Sequence, residues 1–219
     1  MKRTLIKLFA FTLSELLVTL SIIGVVSALT VPTLINKYQA QANVTQLRKA
    51  YFDLSQATDL LLTDEGKISI STTSLPDNPG KFLKKYLRIN QDCGTDLTPC
   101  FADAYKNTNG GAVDVSCGGE SVLTVAGYAV CVGYATPNEV LVDINGPEKP
   151  NIAGRDLFSF SIYYDGSLDE SMSPTGKIQL SAAQIKSARD NKAANCLDSN
   201  YNAVGCFSKI LNANWKMDY

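Results

Sequence analysis

The hydrophobic and polar positions divide the chain into three regions with different patterns. Residues 11–36 are apolar apart from small polar side chains and one acid, Glu15. In residues 37–66 the apolar side chains recur every three or four positions, as on one face of a helix: Val44, Leu47, Tyr51, Leu54, Thr58 and Leu61. Beyond residue 66, short β-prone runs alternate with turn-forming residues. This order predicts one long helix followed by a globular head.

The apolar run is long enough to cross a membrane. Residues 16–36 are 21 consecutive positions without a charged side chain, and a helix needs about 20 such residues to span a bilayer core. Lys2, Arg3 and Lys7 precede the run, with no acid among the first ten residues. Because basic flanks stay on the cytoplasmic side, we expect a single-pass anchor with its N-terminus in the cytoplasm and its head outside.

Three kinds of N-terminal segment share this arrangement. An ordinary secretory signal would be cut after the apolar run, where Val26, Ser27 and Ala28 offer a small-x-small site. A plain signal anchor would not be cut, and a third kind of leader would be cut before the run and leave it on the mature protein. Glu15 favours the third kind, because an acid inside an apolar span costs about 2.5–3.5 kcal/mol and neither other kind gives it a role.

The residues FTLSELLVTLSIIGVVSALTVPTLINKYQ, which begin at Phe11, resemble the class III signal of type IV pilins and type II secretion pseudopilins. That family has a short basic leader, a small residue before the cleavage point, Phe as the first mature residue, Glu as the fifth, and an apolar helix. Ala10, Phe11 and Glu15 lie at those positions. The family's usual residue before the cleavage point is Gly, and this chain has Ala10 instead.

The resemblance implies a processing step and a set of partners. A prepilin peptidase would cleave between Ala10 and Phe11 and methylate the new amine of Phe11. In a fibre, the Glu15 carboxylate would pair with that amine on a neighbouring subunit, because opposite charges in an apolar environment stabilise each other only when close. The implied partners are the peptidase, other pilin or pseudopilin subunits and the assembly platform of the bacterial inner membrane. The alternative is that Glu15 reaches toward the lipid headgroups and has no role in assembly.

Gly24 and Pro32 lie inside the apolar run, and both weaken a helix, Gly by about 1 kcal/mol and Pro by about 3 kcal/mol relative to Ala. In pilins that resemble this chain, the helix can unwind between such positions when subunits pack into a filament. A proline in a membrane helix can equally produce only a bend. The sequence leaves both possibilities open.

The expected fold class is α+β and pilin-like: a long N-terminal helix, transmembrane and then amphipathic, packed against an antiparallel sheet with disulfide-linked loops. The predicted divisions are a leader (residues 1–10), a transmembrane and polymerisation helix (11–36), the amphipathic half of that helix (37–66) and a periplasmic or extracellular head (67–219). Gly66 offers a stop for the long helix.

Within the head, residues 67–81 are expected to form a loop. We expect helices over 82–89, 181–193 and 207–212, and strands over 113–116, 122–126, 128–134, 139–144 and 157–164. Alternation in the last strand places Phe158, Phe160 and Ile162 on one face, which we expect to point toward the long helix.

All six cysteines lie in the head, and none forms a C-x-x-C motif, which disfavours a zinc or redox site. An even number after an export signal is typical of disulfides formed outside the cytoplasm. Six cysteines allow fifteen pairings. We expect neighbours in sequence to pair: Cys93 with Cys100, Cys117 with Cys131, and Cys196 with Cys206.

The segment VDINGPEKPNIAGRDLFSF, residues 142–160, resembles a pattern seen in pilin-like proteins. Asp143, Asn145 and Asp156 could supply hard oxygen ligands to a calcium ion, as a loop of major pseudopilins does. The alternative is a turn in which these side chains hydrogen-bond to the backbone and bind no metal.

Composition narrows the function. The chain contains no histidine, which excludes Ser-His-Asp and Cys-His catalysis and every His-ligated metal site. The net charge of −1 indicates no nucleic-acid partner. We expect a structural subunit of a type IV pilus or a type II secretion pseudopilus, not an enzyme. The alternative is a membrane-anchored or secreted binding protein, such as an adhesin or a DNA-uptake minor pilin, with an ordinary signal anchor.

Overall fold

The computed structural model describes residues 12–133, 138–171, 180–197 and 204–219. It divides into two compact units, residues 1–39 and 40–219. The α-helices of the described ranges are α1 (Leu13–Glu65), α2 (Pro79–Tyr86), α3 (Ala182–Ala193) and α4 (Cys206–Asn212). The strands of the same ranges are β1 (Ile89–Gly94), β2 (Tyr105–Lys106), β3 (Ala112–Val113), β4 (Glu120–Thr124), β5 (Ala129–Val132), β6 (Glu139–Asp143), β7 (Leu157–Ile162) and β8 (Leu168–Asp169). The protein is therefore α+β, with its longest helix at the N-terminal end.

The first half of α1 presents apolar side chains on every side. All residues from 12 to 39 are exposed, and the most apolar 18-residue window of the helix has a mean hydropathy of 2.1. A helix that is apolar all round suits a lipid environment or a protein interior. By length and composition, this helix can serve as a membrane anchor or as a signal.

The second half of α1 buries a single stripe in the head. The buried residues of the helix are Val44, Leu47, Ala50, Leu54, Ala57, Thr58 and Leu61. Their spacing confirms the amphipathic pattern of the sequence. The polar member of the stripe is satisfied, because the Thr58 hydroxyl donates to the carbonyl oxygen of Gly166 at 2.9 Å. The helix stops at Gly66, as predicted, where φ is +62° and the Lys67 amide donates back to the Leu62 oxygen at 2.9 Å.

Six strands form one antiparallel sheet in the order β1-β4-β5-β6-β7-β8. From β4 to β8 the strands follow one another as a meander, while β1 lies at the edge beside β4. β2 and β3 pair separately as a small hairpin. Every residue of β5, and every residue of β6 except Glu139, is buried. Because side chains alternate between the two faces of a strand, both faces of the sheet must be covered.

Aromatic rings link one face of the sheet to the helices. Phe160 of β7 pairs with Val140 of β6 on this face. The Phe160 ring lies 4.9 Å from the Phe207 ring of α4, measured between centroids, and Phe207 lies 5.9 Å from the Tyr51 ring of α1. The alternation predicted for β7 is therefore confirmed, with Phe160 on the side of the helices.

The opposite face is covered by the chain between β1 and β4. Cys131 and Leu141 are cross-strand partners on this face, and a small cavity between Val113 and Leu141 marks the contact with the covering layer. The Cys117–Cys131 disulfide ties that layer to β5. The β1–β4 connection is therefore part of the core packing and not a surface loop.

The prediction for the first part of the head is wrong in its boundaries. Residues 82–89 do not form one helix: α2 begins earlier, and Ile89 is already in β1. The early start follows from Asn78, whose side chain accepts from the Lys81 amide at 2.9 Å, and from Pro79 at the first helical position. The predicted 67–81 loop also contains a short 3-10 helix at Ile70–Thr72.

The strand prediction misses the two edges of the sheet. β1 and β8 are not predicted, and the strand expected over 113–116 is reduced to Ala112–Val113. β1 has the polar sequence INQDCG and exposes three of its six residues, so it is a strand because it pairs with β4. Strands β4 to β7 all overlap the predicted runs.

Local signals near the C-terminus are confirmed. Ser181 caps α3, and its hydroxyl accepts from the Gln184 amide while the Gln184 side chain accepts from the Ser181 amide. α4 covers the predicted 207–212 turn. The structure contains the three disulfides that pair neighbours in sequence: Cys93–Cys100, Cys117–Cys131 and Cys196–Cys206.

The N-terminus of α4 is capped by a residue from outside the helix. Its N-cap residue is Gly205, which has no side chain to accept from the first amides. Glu170, which follows β8 and is 1% exposed, supplies the acceptor: its carboxylate accepts from the Ser208 amide at 3.1 Å. Burial raises the pKa of Glu170 to about 7, against the lowering effect of the hydrogen bonds from Ser208 and Gly205.

Gly205→Ala is expected to displace α4, because the added Cβ would lie 1.9 Å from the Lys192 oxygen. Gly127→Ala is the matched control, since Gly127 has nearly the same φ, +89° against +93°, but open space around it. We expect the control to lose only the backbone strain of about 1 kcal/mol and Gly205→Ala to lose clearly more. Thermal unfolding of the full chain in detergent, followed by the fluorescence of its single tryptophan, Trp215, measures both; equal losses would contradict the prediction.

Because burial raises the pKa of Glu170, we expect the head to be less stable at alkaline pH. Its folded pKa of about 7 lies above its ordinary value of 4.5, so its stabilising contribution is complete below the ordinary value and is lost as the pH rises through the folded value. The free energy of unfolding should fall by up to roughly 3 kcal/mol between about pH 5 and about pH 8. Glu170→Gln cannot ionise and should show a shallower fall in the same unfolding assay. Parallel pH profiles for the two proteins would refute the assignment.

Candidate functional site

Thr12 and Glu15 form a capping box at the start of α1. The backbone amide and the hydroxyl of Thr12 both donate to Glu15 Oε2, at 2.9 Å and 2.8 Å. In return, the Glu15 amide donates to Thr12 Oγ1 at 3.3 Å. These are the two positions of the motif, the N-cap and the third helical residue. The predicted assembly residue therefore also satisfies donors at the start of its own helix.

The cap uses one carboxylate oxygen of Glu15 and leaves the other without a hydrogen bond from the described residues. Both hydrogen bonds from Thr12 end on Oε2, and Oε1 accepts none from the described part of the chain. The T-x-x-E spacing is visible in the sequence and signals such a cap, but the interpretation of Glu15 as an assembly residue overlooks it. The two roles are compatible, because a carboxylate has two oxygens and accepts more than two hydrogen bonds.

Of the other predicted N-terminal site residues, the structure describes Gly24 and Pro32. Ala10 and Phe11, the predicted cleavage and methylation positions, lie outside the described residues. Gly24 and Pro32 lie inside α1, which continues without interruption through both. A Cβ added at Gly24 would meet no atom within 4 Å, so this glycine is not needed for packing within the chain. Their predicted role in unwinding stays a prediction.

The loop between β6 and β7 contains three buried oxygen atoms that have no hydrogen-bond partner. They are Asn145 Oδ1, Asn151 Oδ1 and Asp156 Oδ2. Within the described ranges, Ser208 Oγ is the one other buried side-chain atom in this condition. Buried polar atoms in folded proteins are nearly always hydrogen-bonded. Three free acceptors in one loop favour a ligand that brings positive charge.

Hydrogen bonds tie Asp156 to the chain neighbours of Asn145 and Asn151. Oδ1 of Asp156 accepts from the backbone amide of Ile152, the neighbour of Asn151, at 2.5 Å. The Asp156 carbonyl oxygen accepts from the amide of Ile144, the neighbour of Asn145, at 2.8 Å. The side chain of Asn145 is fixed in turn, because its Nδ2 donates to the Lys149 oxygen at 3.2 Å. The free acceptors thus belong to one hydrogen-bonded unit.

Asp143 has different partners from the two other predicted ligands. Its Oδ1 accepts from the Asn145 amide at 3.1 Å, and its Oδ2 accepts from the Tyr105 hydroxyl. The Tyr105 oxygen accepts from the Ala102 amide at 3.1 Å. Both oxygens of Asp143 are therefore in use, as the turn alternative expects. Asn151, which the sequence does not single out, has a free oxygen instead.

Burial shifts the acids of this loop toward their protonated forms. It raises the pKa of Asp143 to about 7. The hydrogen bond from the Tyr105 hydroxyl acts against this rise, and the negative charge of Asp156 adds to it. It raises the pKa of Asp156 to about 6, against the lowering effect of the surrounding backbone amides. A cation bound to Asp156 would stabilise the ionised carboxylate and displace its proton.

The chemistry of the donors limits the kind of cation. Among the described residues, no group of three or more Cys, Asp or Glu side chains could hold a metal ion. A site in the β6–β7 loop would therefore depend on amide and backbone oxygens in addition to Asp156. Calcium accepts such a mixed oxygen set, whereas zinc sites use Cys and His ligands with few carboxylates.

The β6–β7 loop is tied to other parts of the head. Asn43 of α1 donates from Nδ2 to the Arg155 oxygen at 3.0 Å. The hydroxyl of Tyr219, the last residue of the sequence, donates to the Gly154 oxygen at 2.8 Å. An isolated bridge joins residue 152 to β2. Order in this loop is therefore coupled to α1, to the C-terminal residue and to the β2–β3 hairpin.

Two of the three basic residues of α2, Lys84 and Lys85, are paired with acids. Lys84 contacts Asp92 at 2.8 Å and Glu120 at 3.2 Å, and Lys85 contacts Asp64 at 2.8 Å. All of these groups are partly exposed, so the pairs add little stability. They do neutralise the charges of Lys84 and Lys85.

Two groups of residues stand out in this fold: the Thr12–Glu15 capping box and the β6–β7 loop. The capping box joins Thr12 and Glu15 at the start of α1, and the β6–β7 loop contains three free oxygen acceptors. No protein-family model matches this chain, and comparisons with curated proteins and with solved structures give no match either.

Proposed function

We propose that this protein is a structural subunit of a type IV pilus or a type II secretion pseudopilus, cut before Phe11 and assembled through its N-terminal helix. The observation that carries the proposal is the first half of α1, which is exposed and apolar over residues 12–39 and contains one acid, Glu15. The same helix continues into a head that contains disulfides. Such a helix suits a subunit that is first held in a membrane and then packed against the helices of other subunits.

The capping box supports a specific part for Glu15 in assembly. A carboxylate near a helix N-terminus is favourable because of the helix dipole, and Thr12 fixes Oε2 in place. Oε1 is then available to the amine of a neighbouring subunit's first residue. Because the carboxylate is already oriented, less conformational freedom is lost when the ion pair forms. The partners on this proposal are a prepilin peptidase, other pilin or pseudopilin subunits and an inner-membrane assembly platform.

The β6–β7 loop favours a second property, the binding of a hard divalent cation such as calcium. Asn145, Asn151 and Asp156 each present one buried oxygen without a donor. A bound cation would satisfy these oxygens and would hold the loop against α1 and β2, which it already contacts. On this proposal the ion stabilises the head and takes no part in a reaction.

Glu15→Gln separates the two roles of this residue. Gln keeps an oxygen that accepts from Thr12, so the cap is retained, but it removes the charge that pairs with the amine. We expect insertion and cleavage before Phe11 to be unchanged and incorporation into fibres to fall at least about tenfold, because one partner of a desolvated ion pair is lost. Sheared fibres and membranes from cells that carry the assembly system are compared by immunoblot, with the N-terminus sequenced.

Thr12→Val is the matched control for Glu15→Gln. It removes the hydroxyl from the cap at a cost of about 1 kcal/mol but keeps the carboxylate charge, so we expect it to assemble. If Thr12→Val failed to assemble while Glu15→Gln assembled normally, Glu15 would act as a helix cap and not as a charge partner.

Calcium is expected to raise the unfolding temperature of the full chain in detergent, and a chelator should reverse the rise. Each kcal/mol of binding linkage corresponds to roughly 2–4 °C for a head of this size. Asp156→Asn should abolish the response, because it removes the one negative charge among the three residues with free oxygens. Asp143→Asn is the control: it should change the basal stability through its Tyr105 hydrogen bond but keep the response to calcium. An unchanged melt of the unmodified protein with calcium would leave the loop as a plain turn.

A further inference from the structure

The head contains two Asn-Gly pairs, Asn109-Gly110 and Asn145-Gly146, in contrasting surroundings. In such a pair the backbone nitrogen of glycine can attack the side-chain amide of asparagine, because glycine has no side chain to obstruct the approach. Asn109 lies in the turn of the β2–β3 hairpin, and Asn145 lies in the β6–β7 loop. Since the dipeptide is the same, any difference in reactivity comes from the fold.

The surroundings of Asn109 leave its side chain free to react. The residue is exposed, and its hydrogen bond within the described chain runs from the backbone amide to Asn107 Oδ1 at 3.0 Å. Gly110 donates to the Asn107 oxygen at 3.0 Å, but a Cβ placed on it would meet no atom within 4 Å. The hairpin has only two residue pairs, so local opening that frees the Gly110 nitrogen is cheap.

The surroundings of Asn145 restrain the same reaction. Its Nδ2 donates to the Lys149 oxygen at 3.2 Å and also to the Glu148 oxygen. Gly146 is buried, and a Cβ on it would lie 2.8 Å from the Leu123 side chain. To react, Asn145 would have to break both hydrogen bonds and rotate inside a packed loop.

We propose that Asn109 is a site of spontaneous covalent modification, from which Asn145 is protected by the fold. The Gly110 nitrogen attacks Asn109 Cγ, a C–N bond forms, and ammonia leaves with the proton of the Gly110 amide. Water then adds to either carbonyl of the resulting succinimide ring and opens it to aspartate or isoaspartate. The sequence of steps consumes one water, releases one ammonia and needs no oxidant, reductant or cofactor.

The modification changes the charge and the backbone of the hairpin. An uncharged amide becomes a carboxylate, which takes the formal net charge of the chain from −1 to −2. The isoaspartate product also inserts one additional carbon into the main chain beside Asn107, whose side chain organises the turn. This inference concerns the head alone and does not depend on the assembly function.

The experiment follows both sites in one sample. The full chain in detergent is kept at mildly alkaline pH, and peptides that contain Asn109 and Asn145 are quantified over time by mass spectrometry, which resolves the exchange of ammonia for water. We expect modification at Asn109 to be at least about tenfold faster than at Asn145 in the folded protein, because only Asn145 requires a packed segment to open. In urea the two rates should converge. Equal rates in the folded protein, or a faster rate at Asn145, would overturn the proposal.

Gly110→Ala tests the chemical step, with Asn145 as an internal control. The added methyl group hinders the attacking nitrogen, so the rate at Asn109 should fall while the rate at Asn145 stays the same. Strain at φ of +87° would open the hairpin and raise the rate, so a fall can come only from the hindered attack. The comparison is repeated in urea, where the hairpin is open in both proteins. An unchanged or higher rate at Asn109 there would mean that the backbone nitrogen is not the nucleophile, and the proposal would be wrong.

Discussion

The head is built on the stripe that the second half of α1 buries. Ala50 and Ala57 alternate with Leu47, Leu54 and Leu61 along it, and small residues between large ones let other elements approach the helix closely while the large ones fill the space between. Over residues 12–39 the same helix is exposed and presents apolar side chains on all sides. One continuous element therefore meets two kinds of surroundings, and the switch from an all-round pattern to a one-sided pattern near residue 40 coincides with the start of the second compact unit.

A sheet buried on both faces needs a second covering layer, and two of the disulfides hold that layer in place. The helices cover one face through the Phe160, Phe207 and Tyr51 rings. The other face is covered by the connection between β1 and β4. The strands within this connection, β2 and β3, have only two residues each. Such a layer cannot be held by backbone pairing alone. The disulfides Cys93–Cys100 and Cys117–Cys131 restrain it near its two ends, and each restricts the unfolded chain by closing a short loop.

Local patterns allowed most of the fold to be predicted, and interactions between distant residues account for the rest. α1, strands β4 to β7 and the cap at Ser181 follow from periodicity and capping signals. β1 does not, because its polar edge sequence becomes a strand only by pairing with β4. At the candidate sites the T-x-x-E cap had a local signal, whereas the Tyr105–Asp143 contact joins residues 38 positions apart. The free oxygen of Asn151 likewise depends on burial, which the loop's polar composition does not indicate.

The buried acids of the head differ in the partners of their carboxylates. Asp169 is paired with Arg189, whose Nε and Nη2 both donate to it, so its charge is balanced within the protein. Glu170 and Asp156 accept from backbone amides instead. Glu170 caps the start of α4 with its carboxylate, and a proton is enough to relieve its charge. Asp156 lies in a loop with two amide oxygens that also lack donors, and a proton on one acid cannot satisfy all three. The divalent cation proposed for this loop would satisfy them, which distinguishes the β6–β7 loop from the other buried acids.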